Sequence, residues 1–186
     1  MKKVVAIRDV WTFRDSIRLR GDLVREDKMD RVVGQDEISE WRILAANSET
    51  SPDVALAVVN MLSSVAVEAD QEVALEAVKA LGNIAVFTDE SDALKWDSVN
   101  ANSKLVVAKA AVKVLTGVVF KASQTVALKA VDMLIDVSHG RGTLRGKLQF
   151  YAEDRLFFIW IREKDVPLKK KAKEALYEWV TYADFD

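Results

Sequence analysis

The apolar residues of this chain recur at helical spacing, and the spacing itself repeats. From Gln71 to Val86 the sequence reads QEVALEAVKALGNIAV. Val73, Ala77, Val78, Leu81 and Ile84 stand at offsets 0, +4, +5, +8 and +11, one face of a 3.6-residue helix. The same template fits Val54, Val58, Val59, Leu62 and Val65. It fits again at Val107, Ala111, Val112, Leu115 and Val118, and at Val126, Ala130, Val131, Leu134 and Val137. A weaker copy holds Leu168, Ala172, Leu176 and Trp179, with Lys173 in place of one apolar residue. Shared identities such as VALEAV, VALKAV and VAKAAV make this an internal repeat rather than generic amphipathicity.

The register groups the helices into pairs. Val54 to Val73 spans 19 residues and so does Val107 to Val126, whereas the two pairs are offset by 53. Ser51-Pro52 starts the first helix, since Ser offers a cap oxygen and Pro at the first helical position loses no hydrogen bond. Asp70 caps the second, Ser103 the third and Ser123 the fourth. Lys121-Ala122 leaves so short a linker that the third and fourth helices must be antiparallel neighbours. A further helix from about Thr143 to Arg162 carries Leu148, Ala152, Leu156 and Ile159 on the repeat face. Phe157, Phe158 and Trp160 make it apolar around most of its circumference, so cover on two sides is expected. Asp165-Val166-Pro167 opens the last helix.

A helix hairpin recurring at about 40 to 47 residues is the period of HEAT and armadillo arrays. The 53-residue step reads as one such unit plus an insertion at 87–102. Ala80-Leu81-Gly82-Asn83-Ile84-Ala85 is similar to the armadillo third-helix signature. From about Ser51 to Val180 the chain therefore resembles the HEAT/armadillo superfamily. The resemblance implies an all-α fold, a right-handed α-solenoid of stacked antiparallel hairpins at 51–86, 103–138 and 143–182, in a single domain over 1–186. Residues 1–47 lack the alanine-rich look and read as a degenerate capping repeat, which a solenoid end requires. In that arm one helical face carries Ile38, Trp41 and Ala45.

Composition narrows the class. Two prolines and seven glycines in 186 residues suit a nearly all-helical chain. No apolar run approaches the length of a membrane span, and the basic-then-apolar start is cut short by Arg8, Asp9, Arg14 and Asp15. Zero cysteines exclude disulfides and thiol chemistry and fit a cytoplasmic protein. Charge is graded: residues 48–100 hold 2 basic and 10 acidic side chains, whereas 101–147 hold 8 basic against Asp132 and Asp136.

Catalytic motifs are absent from the sequence. His139, the single histidine, abuts Ser138, but adjacent residues do not present a nucleophile to a base. The basic, glycine-rich turn from Gly140 to Lys147 is one residue short of a P-loop, with Leu148 where Ser or Thr is required. The acids of the insertion lack the order of an EF-hand. No enzyme, cofactor or metal is expected.

A binding role remains. The insertion places Leu94 and Trp96 among four acids, and Trp is a frequent interface anchor. In the superfamily the second helix of each hairpin lines the concave side. The resemblance thus implies a groove with Glu76, Lys79 and Asn83, then Lys129, Asp132 and Asp136, then Lys173, Glu174 and Glu178. Asn83 matches the asparagine that holds peptide backbones in armadillo proteins, but Asp136 and Glu178 replace its counterparts and Lys79 stands at the tryptophan position. The ladder is absent. A protein-interaction scaffold is the first expectation. Nucleic-acid binding by a glycosylase-like HEAT array is the second, through Arg141, Arg145, Lys147, Lys169, Lys170 and Lys173 with Lys104 and Lys113 on one face. Self-association through apolar solenoid ends is a third.

Overall fold

The structure, a computed structural model, describes residues 33–47, 50–86, 98–139 and 147–183. These residues form seven helices and no strand: α1 (Gln35–Ala46), α2 (Pro52–Glu68), α3 (Gln71–Val86), α4 (Ser98–Val119), α5 (Gln124–Ser138), α6 (Lys147–Arg162) and α7 (Val166–Ala183).

Helix starts follow one rule. In α2, α3, α5 and α7 the residue at the cap stands three before the first core position: Ser51, Asp70, Ser123 and Asp165. The carbonyl of each accepts the amide four residues on, from Ala55, Ala74, Ala127 and Lys169, at 2.8–3.0 Å. Three add a side-chain bond to an amide otherwise left open at a helix start. The Val54 amide donates to Ser51 Oγ at 3.4 Å, that of Val73 to Asp70 Oδ1 at 3.2 Å, and that of Leu168 to Asp165 Oδ1 at 3.3 Å. Ser123 sits at the cap of α5 but its hydroxyl makes no such bond. Ser103 is no cap at all, because α4 begins five residues earlier at Ser98. Between 98 and 102 there is neither Gly nor Pro to stop the helix, so it takes up the end of the expected insertion.

The helices lie in two rows. One holds α2, α4 and α6; the other holds α1, α3, α5 and α7. Each helix packs on its neighbours in sequence and on the next member of its own row, an arrangement consistent with a helical repeat. The template positions are the core. Offsets +4, +5 and +8 are fully buried in α2 to α5: Val58, Val59 and Leu62; Ala77, Val78 and Leu81; Ala111, Val112 and Leu115; Ala130, Val131 and Leu134. Leu148, Ala152, Leu156 and Ile159 continue the seam in α6, and Leu168 and Ala172 in α7.

Two helical glycines have opposite roles. A Cβ on Gly82 would stand 3.0 Å from Met133 Cβ and 2.8 Å from its Cγ, so α3 and α5 touch there with no room for a side chain. A Cβ on Gly117 meets nothing within 4 Å. Glycine inside a helix forfeits backbone entropy without return when no close contact needs it. Gly117→Ala is accordingly expected to stabilise the fold by about 0.5–1 kcal/mol, read as a higher midpoint in urea with an unchanged slope.

One expectation about α6 fails. Its Leu148 side is covered, but Phe150 and Phe157 are 68% and 47% exposed and Ile161 is exposed as well. Among the described residues no hairpin packs beyond α6 and α7, so the second side has no neighbour.

Candidate interaction surfaces

On the row of α1, α3, α5 and α7 the expected groove residues face outward to different degrees. Lys79 and Asn83 are exposed, whereas Lys129, Asp132 and Asp136 are half-buried. Several charges on this row are paired. Lys79 pairs with Glu76 one turn away, Lys171 of α7 reaches across to Asp132 of α5, and Lys170 stands 3.7 Å from Glu174. Exposed pairs of this kind contribute roughly 0–1 kcal/mol each. They also leave that row nearly neutral.

Among the described residues the expected basic patch is divided between the two rows. Lys169, Lys170 and Lys173 are exposed on α7, in one row, whereas Lys113 is exposed on α4, in the other. Lys104 borders a small cleft lined by Ala45, Pro52, Ala55 and Val107. Antiparallel pairing puts successive helices in opposite rows, which is why closeness in sequence is not closeness on the surface. Leu94, Trp96, Arg141 and Arg145 lie outside the described residues, as do the side chains of Lys147 and Glu178.

A different surface is concentrated on α4 and α6. Tyr151, Arg155, Phe158 and Arg162 follow at i, i+4, i+7 and i+11 on α6, and Lys109, Lys113 and Phe120 form a parallel stripe on α4. The stripes meet at both ends. Lys109 Nζ lies 5.7 Å from the Tyr151 ring centre and the Arg155 guanidinium 4.7 Å from it. At the other end Arg162 stands 5.0 Å over Phe158, whose ring meets that of Phe120 edge-on at 5.8 Å. Cations held over rings keep their full charge and gain about 0.5–1 kcal/mol at exposed sites. Arg155 also contacts Asp154 at 3.3 Å, yet its Nε is buried and has no hydrogen-bond partner among the described residues. Phe120, just past the end of α4, is 40% exposed.

Comparison with family models, curated proteins and solved structures finds no match.

The stripe of α6 was readable as a spacing of alternating aromatic and basic residues. Phe157, Phe158 and Trp160 obscure it, because together they read as a helix buried on two sides. Chemistry elsewhere is sparse. Ser138 Oγ donates to the Ile135 carbonyl at 2.8 Å, so its proton is not directed at His139. His139 ends α5 as an exposed cap. Among the described residues no three carboxylate or imidazole groups gather as a metal site needs. Burial pushes the Glu153 carboxyl above its usual range, opposed by a 3.3 Å hydrogen bond from Gln149 Nε2.

Proposed function

We propose that this chain is a non-enzymatic interaction scaffold, a right-handed α-solenoid of HEAT/armadillo-like hairpins that works in the cytoplasm. Its expected capping repeat, 1–47, is represented among the described residues by α1. Its docking surface is the outer face of α4 and α6, and its partner is an acidic protein segment with apolar residues among its carboxylates. The observation that carries this reading is the paired stripe of cations and rings. Lys109, Arg155 and Arg162 are positioned by Tyr151 and Phe158 rather than by carboxylates from other helices. The charges of Lys109 and Arg162 are therefore left to meet carboxylates, while Phe120 offers apolar contact. On the opposite row Lys79, Lys170 and Lys171 are paired to acids, which supports the assignment by contrast.

The test is fluorescence anisotropy with two labelled probes, an amphipathic peptide of Glu and Leu and an oligothymidylate. The peptide is expected to bind at low salt, and Lys109→Glu with Arg162→Glu is expected to weaken it at least about tenfold, about 1.4 kcal/mol. The same pair of changes should cost the fold only about 1–2 kcal/mol, the worth of two lost cation–ring contacts, and so lower the thermal midpoint modestly. Preference for the oligothymidylate, with affinity falling steeply in salt, transfers the surface to single-stranded nucleic acid. Binding of neither probe sinks both readings.

A further inference from the structure

A second surface lies at the open end of the stack, on α6 and α7. The fifth residue after the first core position is valine in each inner helix, Val59, Val78, Val112 and Val131, and all four are fully buried. The Gly82–Met133 contact shows which way this side points, since Gly82 belongs to the same stripe of α3 and meets α5, the next helix of the row. Each hairpin thus presents this stripe to the hairpin that follows. In the last hairpin the valine position holds Glu153 on α6 and Lys173 on α7.

The rest of that stripe is aromatic. Phe157 meets Trp160 edge-on at 5.6 Å, and Trp160 meets Tyr177 of α7 at 6.4 Å. Phe157 and Tyr177 are 47% and 54% exposed, and Lys173 Nζ lies 5.4 Å from the Tyr177 ring centre. An end that served only to meet water would not need three rings at its centre.

We propose that two copies of this chain stack through this face, related by a two-fold axis lying in the interface and parallel to the helices. Such an axis sets α6 of each copy on α7 of the other. Glu153 lies ten residues before Glu163 and Lys173 eight after Asp165, so by helical rise they stand roughly 15 and 12 Å from the turn. At nearly equal heights, Glu153 faces the partner's Lys173 and Lys173 faces the partner's Glu153. An acid on one helix and a base at the matching position of the other make the surface self-complementary, as a two-fold interface requires. The axis perpendicular to the helices would set α6 on α6 and bring Glu153 against its own copy, which charge disfavours. Two helices about 25 Å long and 10 Å wide offer roughly 500 Å² per copy, near the lower limit of a stable interface. The dimer is accordingly weak, in exchange with monomer.

Sedimentation velocity of the full chain across a concentration series tests this. A reversible monomer–dimer equilibrium is expected. Glu153→Lys and Lys173→Glu are each expected to weaken it at least about tenfold, and the two together to restore it. Recovery in the exchanged pair separates the interface from any loss of folding, because two folding defects would add. A chain that stays monomeric at sub-millimolar concentration overturns the proposal. So do open-ended assembly, single changes without effect, or an exchanged pair that fails to recover.

Discussion

Leu81→Ala is expected to cost about 3 kcal/mol, within the 2–5 kcal/mol that buried leucine truncations span. Leu81 is fully buried, and α3 packs on α1, α2, α4 and α5. The core it belongs to is built mostly of valines and alanines, short side chains that cannot lean far into the space a leucine leaves. Most of the cavity therefore persists, and the penalty includes both lost transfer energy and lost contacts. Leu176→Ala occupies the same template position in the last helix, where the side chain is only half-buried, and should cost less than half as much. Urea melts of the two variants decide it. Equal losses would mean that the repeat positions are not packed as described.

Gly82→Val should be nearly as damaging, at about 3 kcal/mol, although glycine is the poorer helix former. The new Cβ alone would stand 3.0 Å from Met133 Cβ, an atom that rotation of the methionine side chain cannot withdraw. Either α5 shifts away from α3 or both helices bend, and the fully buried Ala77, Val78 and Val131 move with them. Shortening Met133 to alanine removes the Cγ and Sδ contacts but not the Cβ contact. The double variant Gly82→Val with Met133→Ala is thus expected to recover part of the loss, measured as a double-mutant cycle in urea. Full tolerance of valine at 82 would show that the two helices do not approach so closely in solution.

Much of the architecture was legible because one residue pattern serves several levels at once. The template that predicts a helix also predicts its buried face, and Ser51, Asp70 and Asp165 announce the starts three residues ahead. Ser103 misled because a serine before an apolar run signals a cap only if the residues upstream cannot themselves be helical. Gly82 was visible as part of a repeat signature, but its partner lies 51 residues further on, and nothing local reveals a contact at that distance. The surfaces were the least legible part. Phe150, Phe157 and Ile161 have the same hydrophobicity as core residues, and their exposure depends on whether another layer follows. The lysines of α7 looked like one patch until the reach of Lys171 to Asp132 showed a bond between adjacent members of a row.

The uneven lengths of the connections have a consequence for how the chain is made. Within hairpins they are short: Ala69 and Asp70 join α2 to α3, residues 120–123 join α4 to α5, and 163–165 join α6 to α7. Between hairpins the described helices are separated by more of the sequence, 11 residues from α3 to α4 and 8 from α5 to α6. Closing a short loop costs less entropy than closing a long one, and the contacts it returns are made by residues synthesised within moments of each other. All of α2 and α3 is synthesised before the first residue of α4, and the seam of Val58, Leu62, Ala77 and Leu81 needs no residue from later in the chain. Until α4 and α5 arrive, its Val59 and Val78 side is bare, and each new hairpin covers the one before it while exposing its own.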